Sequence, residues 1–286
     1  MRNISIAFFA LFTIIVISSC GSNINNRNSK RGIKQLRVDG IQLQDIEGDD
    51  ITLRGVSYGW HNMWPRFYNK ESVAWLKKDW HCNVVRASMG VHLDSSSYLS
   101  KPAWSKKTIE KVIEGAIEND IYVIIDWHSH DIYTEEALVF FREMATKYGQ
   151  YPNVIYEIFN EPDYETWQEV KDYSVKVIKA IRAIDSDNII LVGSPHWDQN
   201  IHIVADDPIS GFDNLMYTVH FYAAKHKEEL RERSEYAMSK GIPIFVSESA
   251  GMEAITTGLH LSLIHISEPT RQYFQSRIPS DALTKW

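Results

Sequence analysis

The sequence is organised by a regular alternation: short apolar runs near 52–57, 83–87, 121–126, 154–159, 189–192, 214–219 and 243–247, each separated from the next by an amphipathic stretch. Runs of that length read as buried strands, and the intervening stretches carry helical spacing. Between the second and third runs, Ile109, Val112, Ile113, Ala116 and Ile117 fall on one helical face. After the fourth, Thr166 and Glu169 form a capping-box pattern ahead of Val170, Val177, Ile178 and Ile181. Strand and helix alternating in this way call for a parallel sheet with helical crossovers. Seven such units within roughly 200 residues favour a barrel over a doubly wound sheet. The fold class expected is therefore α/β, a (β/α)8 TIM barrel. A short β-rich lead-in, Leu36-Arg37-Val38 and Ile41-Gln42-Leu43 around a turn at Asp39-Gly40, is placed to cap the bottom of that barrel.

The two ends of the chain follow other rules. Arg2 precedes an apolar run from Ile4 to Ile17, too short to span a bilayer and suited to a signal-peptide core. It ends in Ile17-Ser18-Ser19-Cys20, which resembles a bacterial lipobox with Cys20 as the lipidated residue; a plain secretory signal is the alternative. Either way the protein is expected to be exported, as an outer-membrane or cell-surface lipoprotein or else to the periplasm or medium. The domain reading is 1–20 signal peptide of lipoprotein type, 21–35 flexible tether, 36–258 catalytic barrel, and 259–286 tail. The tail offers no strand in the register that an eighth unit needs, so the last strand is read as missing or replaced. The stretch LSLIHISEPTR at 261–271 resembles translated sequencing-adapter read-through, and the tail is expected to be non-native. With Cys20 lipidated, Cys82 has no partner and no disulfide is expected.

Composition narrows the partners. A net charge of −7 gives no basic face for nucleic acid. Nine Trp and fourteen Tyr lean toward carbohydrate, although most serve the core in any barrel.

Active sites of (β/α)8 barrels are assembled at the C-terminal ends of the strands, which makes the polar residues following each apolar run the candidates. These are Arg86, His128, Asn160 and Glu161, Trp197, His220 and Tyr222, and Glu248. Glu161 and Glu248 follow the fourth and seventh runs and face each other across the mouth. Glycoside hydrolysis needs such a pair, one carboxyl group to protonate the leaving oxygen and one carboxylate to attack the anomeric carbon, about 5–5.5 Å apart in retaining enzymes. Arg86 is placed to keep Glu248 ionised, or to pair instead with Glu157, which lies four residues deeper on the strand of Glu161.

At these positions the chain resembles the glycoside hydrolase family 5 cellulases of bacterial type. The likeness is carried by RGVSYGWHNMWPRFYN, IYVIIDWHSH, YGQYPNVIYEIFNEP, AIRAIDSDNIILVGSPHWDQN, NLMYTVHFYAAKH and IFVSESAG, between about Leu36 and Gly251. The resemblance implies Glu161 as acid/base, Glu248 as nucleophile, Arg86, His128, Asn160, His220 and Tyr222 as the supporting set, and Trp197 as a sugar-stacking platform. It implies an endo-β-1,4-glucanase acting on cellulose or mixed-linkage glucan by a two-glutamate double displacement, as a monomer, with no cofactor and no metal. Mannan, xylan and xyloglucan stay open, because loops set substrate choice. Two departures stand out: Ser249 sits where many members have Trp, and the Trp platform of an eighth strand is not found. Two other readings stay open. His128-Ser129-His130 has a spacing by which barrel hydrolases bind metal, with no coherent further ligands; the other is a catalytically impaired, lipid-anchored glycan-binding barrel.

Overall fold

The computed structural model describes residues 32–223 and 225–250, and the backbone of 262–265. The signal segment, Cys20, the tether and most of the tail lie outside the described residues. All seven expected runs form strands: β3 (Arg54–Ser57), β4 (Val84–Gly90), β5 (Tyr122–His128), β6 (Val154–Glu157), β7 (Ile190–Val192), β8 (Leu215–Thr218) and β10 (Ile244–Phe245). They pair in parallel in chain order, each with its sequence neighbour. The crossovers are α1 (Lys70–Trp80), α2 (Pro102–Glu118), α3 (Thr134–Tyr148), α4 (Trp167–Arg182), α5 (Ile201–Asp206) and α6 (Glu228–Ser239). This is the (β/α)8 winding carried through seven strands of a curled sheet.

Strand parity splits the side chains into two layers. Val85, Ala87, Val123, Ile125, Val154, Tyr156, Ile190 and Tyr217 point outward into one core shared with the helices. Val84, Ile124, Ile155, Leu191, Met216 and Phe245 point inward and form a second core inside the sheet. The lead-in hairpin, β1 (Leu36–Asp39) with β2 (Gln42–Asp45), closes the lower end of that inner core with Leu36 and Leu43, as its pattern suggested. Two residues further along, the inward positions turn polar: Arg86, Asp126, Glu157, Thr218 and Ser247 are all fully buried. The inner layer thus changes from apolar to polar in one step toward the C-terminal ends of the strands.

The helices are set by local signals. Asn69 caps α1 by accepting the Ser72 N–H, and the expected Thr166–Glu169 capping box opens α4. Gly90 ends β4 because a Cβ there would lie 2.2 Å from Asn62 Oδ1 and 2.7 Å from the Trp60 ring. Its absence of a side chain lets the loop after β3 fold over the mouth.

The tail departs from expectation in one respect. Residues Ser262–His265, where no strand was foreseen, form β12 and pair with β3. The ladder is antiparallel, so β12 is not the eighth parallel strand of a complete barrel. The N–H and C=O groups on the side of β3 away from β4 are a template for an added strand. Among the described residues, no ladder joins β10 to β12.

If the inner apolar layer carries the sheet, Phe245→Ala should destabilise the protein by about 3–5 kcal/mol. Val139→Ala, at an exposed position on α3, should change stability by less than about 0.5 kcal/mol. Urea unfolding of the two variants against the parent measures both.

Candidate active site

The mouth is built around Arg86, whose side chain is completely buried on β4. Its Nε and Nη2 donate to the two oxygens of Glu157 at 2.6 and 3.1 Å. Nη1 donates to Glu248 Oε2 at 2.9 Å, and Nη2 also reaches Asn160 Oδ1 at 2.7 Å and Asp126 Oδ2 at 3.0 Å. The choice between Glu157 and Glu248 as partner, left open by the sequence, resolves as both. A planar guanidinium has five donors in a fixed fork and can serve more acceptors at once than the three-donor ammonium of a lysine.

Glu248 is held at both oxygens. Arg86 fixes Oε2, and the Tyr222 hydroxyl donates to Oε1 at 2.6 Å. Tyr222 is brought there by β9 (Phe221–Tyr222), which pairs in parallel with β11 (Ser249–Ala250) just beyond the ends of β8 and β10. Burial pushes the Glu248 carboxyl up, but Arg86 foremost, then His220, His128 and the Tyr222 hydroxyl, outweigh it and hold the group down at about 2. Glu157 is likewise pushed up by burial and pulled down more strongly by Arg86 and His220, to about 2.

Glu161 sits on the loop after β6, its N–H bonded to the Ser129 carbonyl at 3.2 Å. His220 Nδ1 lies 2.9 Å from Glu161 Oε1, while His130 Nδ1 is 3.7 Å from Oε2. The other nitrogen of His220 meets Ser247 Oγ at 2.7 Å, and Ser247 in turn donates to Glu157 at 2.6 Å. Glu161 and Glu248 therefore belong to one network, joined through His220, Ser247, Glu157 and Arg86. Tyr222 also feels the charge of both carboxylates, which together with its burial push its hydroxyl far up.

The remaining expected residues lie around this core. His128 ends β5 with Nδ1 on Asp126 Oδ2 at 2.6 Å and its ring edge-on to Trp60 at 4.5 Å. Asn160 bonds Arg86 rather than either glutamate, and its Nδ2 has no partner. Trp197 is half-buried beside Tyr164, at 6.1 Å between ring centres. It occupies a turn in which His196, Trp197 and Asp198 have φ of 60°, 52° and 58°. Left-handed backbone at a non-glycine residue costs about 1–2 kcal/mol, so three in succession mark a turn held by its surroundings.

Among the described residues, two carboxylate triplets are close enough to share a cation: Asp45, Glu47 and Asp49, and Asp131, Asp163 and Glu165. Neither includes His128 or His130, and the first already binds Lys34.

Residues 44–271 match the family model described as cellulase (glycosyl hydrolase family 5). The chain belongs to that family. Among its relatives, Endoglucanase Z of Dickeya dadantii is 45% identical over 237 residues, covering 81% of this chain and 55% of that protein. An endoglucanase of Clostridium saccharobutylicum is 45% identical over 231 residues, covering 78% and 51%. The chain thus spans about half the length of these relatives. Among solved structures, one from Cytophaga hutchinsonii superposes with a TM-score of 0.75 at 43% identity, covering 77% of this chain and 72% of that one. A Thermobifida fusca endoglucanase catalytic domain in complex with cellotetraose gives 0.71 at 30% identity, covering 78% and 75%.

Of the residues chosen from strand ends in this family 5 site, Arg86, Asn160, Glu161, His220, Tyr222 and Glu248 are joined by hydrogen bonds, His128 reaches them through Asp126, and Trp197 stands apart beside Tyr164. Sequence reasoning missed Asp126, Asp198, Ser247 and His130 as part of the network, and did not single out Trp60. Strand parity could have found Asp126 and Ser247, two residues beyond inward apolar positions on their own strands. Trp60, three residues past the first strand, gave no signal of its own.

A carboxyl whose pKa is depressed by folding adds stability that is complete above its unfolded value and is lost as pH falls through the folded one. For Glu157 that window runs from 4.5 down to about 2. Glu157→Gln should lower stability by about 3–5 kcal/mol near neutral pH, because it leaves Arg86 short of its main partner. The gap to the parent should narrow as pH falls through that window, read by urea unfolding at a series of pH values; a gap independent of pH would contradict the assignment.

Proposed function

We propose that this chain is a retaining, endo-acting β-1,4-glucanase, with Glu248 as nucleophile and Glu161 as acid/base. The observation that carries the reading is the clamp on Glu248: a guanidinium on one oxygen and a phenol on the other, with a pKa near 2. A carboxylate ionised at every working pH and fixed in orientation is suited to attack an anomeric carbon, and unsuited to deliver a proton. Glu161, bonded to a histidine rather than an arginine, has the exchangeable neighbour that an acid/base group needs. In the first step Glu161 protonates the glycosidic oxygen while Glu248 forms an ester to the sugar. In the second, Glu161 takes a proton from water, which attacks the same carbon and releases Glu248.

The endo mode and β-1,4-glucan substrate are supported by the names of the relatives and by the cellotetraose bound to the Thermobifida domain. Trp197 and Trp60 offer half-exposed rings on which a neutral sugar chain can stack. Mannan, xylan or xyloglucan would use the same two carboxylates with different loops. The proposal extends to export, with Cys20 as a lipid anchor at the outer membrane or cell surface, and to a monomer that uses no metal or cofactor. A second reading, a protein that grips glycan without turning it over, is favoured by the absence, among the described residues, of a ladder between β10 and β12.

The test is release of reducing sugar from soluble β-glucan. Glu161→Gln and Glu248→Gln should each lower it by at least about 10²-fold, and excess chelator should leave the parent unchanged. Unaltered activity in either variant would end the mechanism. Retention on insoluble glucan with no sugar released by the parent would favour the binding reading.

A further inference from the structure

Asp198 is fully buried in the turn after β7, and its carboxylate is only half satisfied. Oδ1 accepts the Ser194 N–H at 2.6 Å. Oδ2 has no well-aligned hydrogen-bond partner, although the Thr218 hydroxyl lies close to the carboxyl, and it is 3.3 Å from Nε2 of His220. The left-handed path through His196, Trp197 and Asp198 brings it there, on the side of the imidazole ring away from Glu161. The His220 main-chain N–H also bonds the Asp198 carbonyl at 3.3 Å.

The hydrogen bonds fix the state of the ring. Ser247 spends its hydroxyl proton on Glu157, so its oxygen must accept from His220 Nε2, which therefore carries hydrogen. Nδ1 is left to share a proton with Glu161 Oε1: it donates when Glu161 is ionised and accepts when Glu161 is protonated. We propose that Asp198 is a positioning residue for glycoside hydrolysis, whose carboxyl oxygen 3.3 Å from Nε2 holds His220 in this tautomer and keeps the shared proton available to Glu161.

The groups facing His220 are Glu157 at 3.7 Å, Glu161, Asp198 and Ser247, with Arg86, Glu248 and Tyr222 in the next ring of contacts. Burial pulls the imidazole down, but Asp198, foremost among the carboxylates, then Glu157 and Glu161 push it well above its usual range. Burial pushes the Asp198 carboxyl up as well, while the His220 charge, the Thr218 hydroxyl and the Ser194 N–H draw it back toward the ionised form; replacing it with an amide removes one of the supports of the imidazolium. The unit formed by His220 and Glu161 then gives up its proton at lower pH, and the alkaline limb of the rate profile moves to lower pH with it.

The inference rests on Glu161 as acid/base, so the experiment separates the two. Asp198→Asn, Asp198→Glu, Glu161→Gln and the parent are compared on soluble β-glucan across pH, and on an aryl β-cellobioside whose leaving group needs no proton. Asp198→Asn should lower kcat on glucan about tenfold with KM within about twofold, and move the alkaline limb down by about one pH unit. Its kcat/KM on the activated glycoside should match the parent's, and Asp198→Glu should keep the limb in place. A profile superimposable on the parent's, or an equal loss on both substrates, would overturn the role of Asp198. If Glu161→Gln is disabled on glucan while Asp198→Asn behaves as the parent, only this inference fails; if Glu161→Gln is unaffected, the acid/base reading fails. Should Asp198→Asn not fold, the ring 15N signals of His220 in the parent serve. They should show a ring protonated into alkaline pH, and titration near 6.5 would overturn the proposal.

Discussion

A single buried guanidinium organises the site. Arg86 has no exposure to water, and removing a charge from water is unfavourable by several kcal/mol unless partners replace the solvent. Here Glu157, Glu248 and Asp126 supply that replacement, with Asn160 as a neutral acceptor. The arrangement works in both directions. The carboxylates make burial of Arg86 tolerable, and Arg86 keeps Glu157 and Glu248 ionised where burial alone would protonate them.

The fold delivers this network through strand parity. Inward positions are apolar at the lower end, where Leu36 and Leu43 of the lead-in hairpin complete the packing, and polar one step higher. Because each strand is anchored by its own apolar residue below, the charged residue above has little freedom to move away from its partners. Main-chain bonds from Asn160 to Trp127, and from Glu161 to Ser129, carry the same rigidity into the loop after β6. The two glutamates of the proposed mechanism are thereby attached to different strands of one stiff sheet.

Much of this could be read from residue order. The apolar runs located all seven parallel strands, and looking just past each run selected Arg86, His128, Glu161, His220, Tyr222 and Glu248, which the structure gathers at one mouth. Strand ends are legible because a buried strand has a sharp compositional boundary. Asp198 was not legible: it follows Trp197 in a left-handed turn, and periodicity says nothing about a path that residues other than glycine rarely take. Nor was the double allegiance of Arg86, since sequence spacing placed Glu157 and Glu248 as rivals while the guanidinium geometry accommodates both. The antiparallel pairing of Ser262–His265 with β3 was missed for a different reason. It depends on an available sheet edge, a property of the assembled fold and not of the segment.

The proposed roles of the two glutamates come down to which atom the sugar becomes attached to. A 2-deoxy-2-fluoro-β-cellobioside with a good leaving group allows the first displacement and slows the second, so the glycosyl-enzyme accumulates. Peptide mass spectrometry of the trapped protein should find one added 2-deoxy-2-fluorocellobiosyl group, on Glu248 between Ser247 and Ser249. A label on Glu161, Glu157 or Asp198, or turnover with no label under conditions where glucan is hydrolysed, would contradict it.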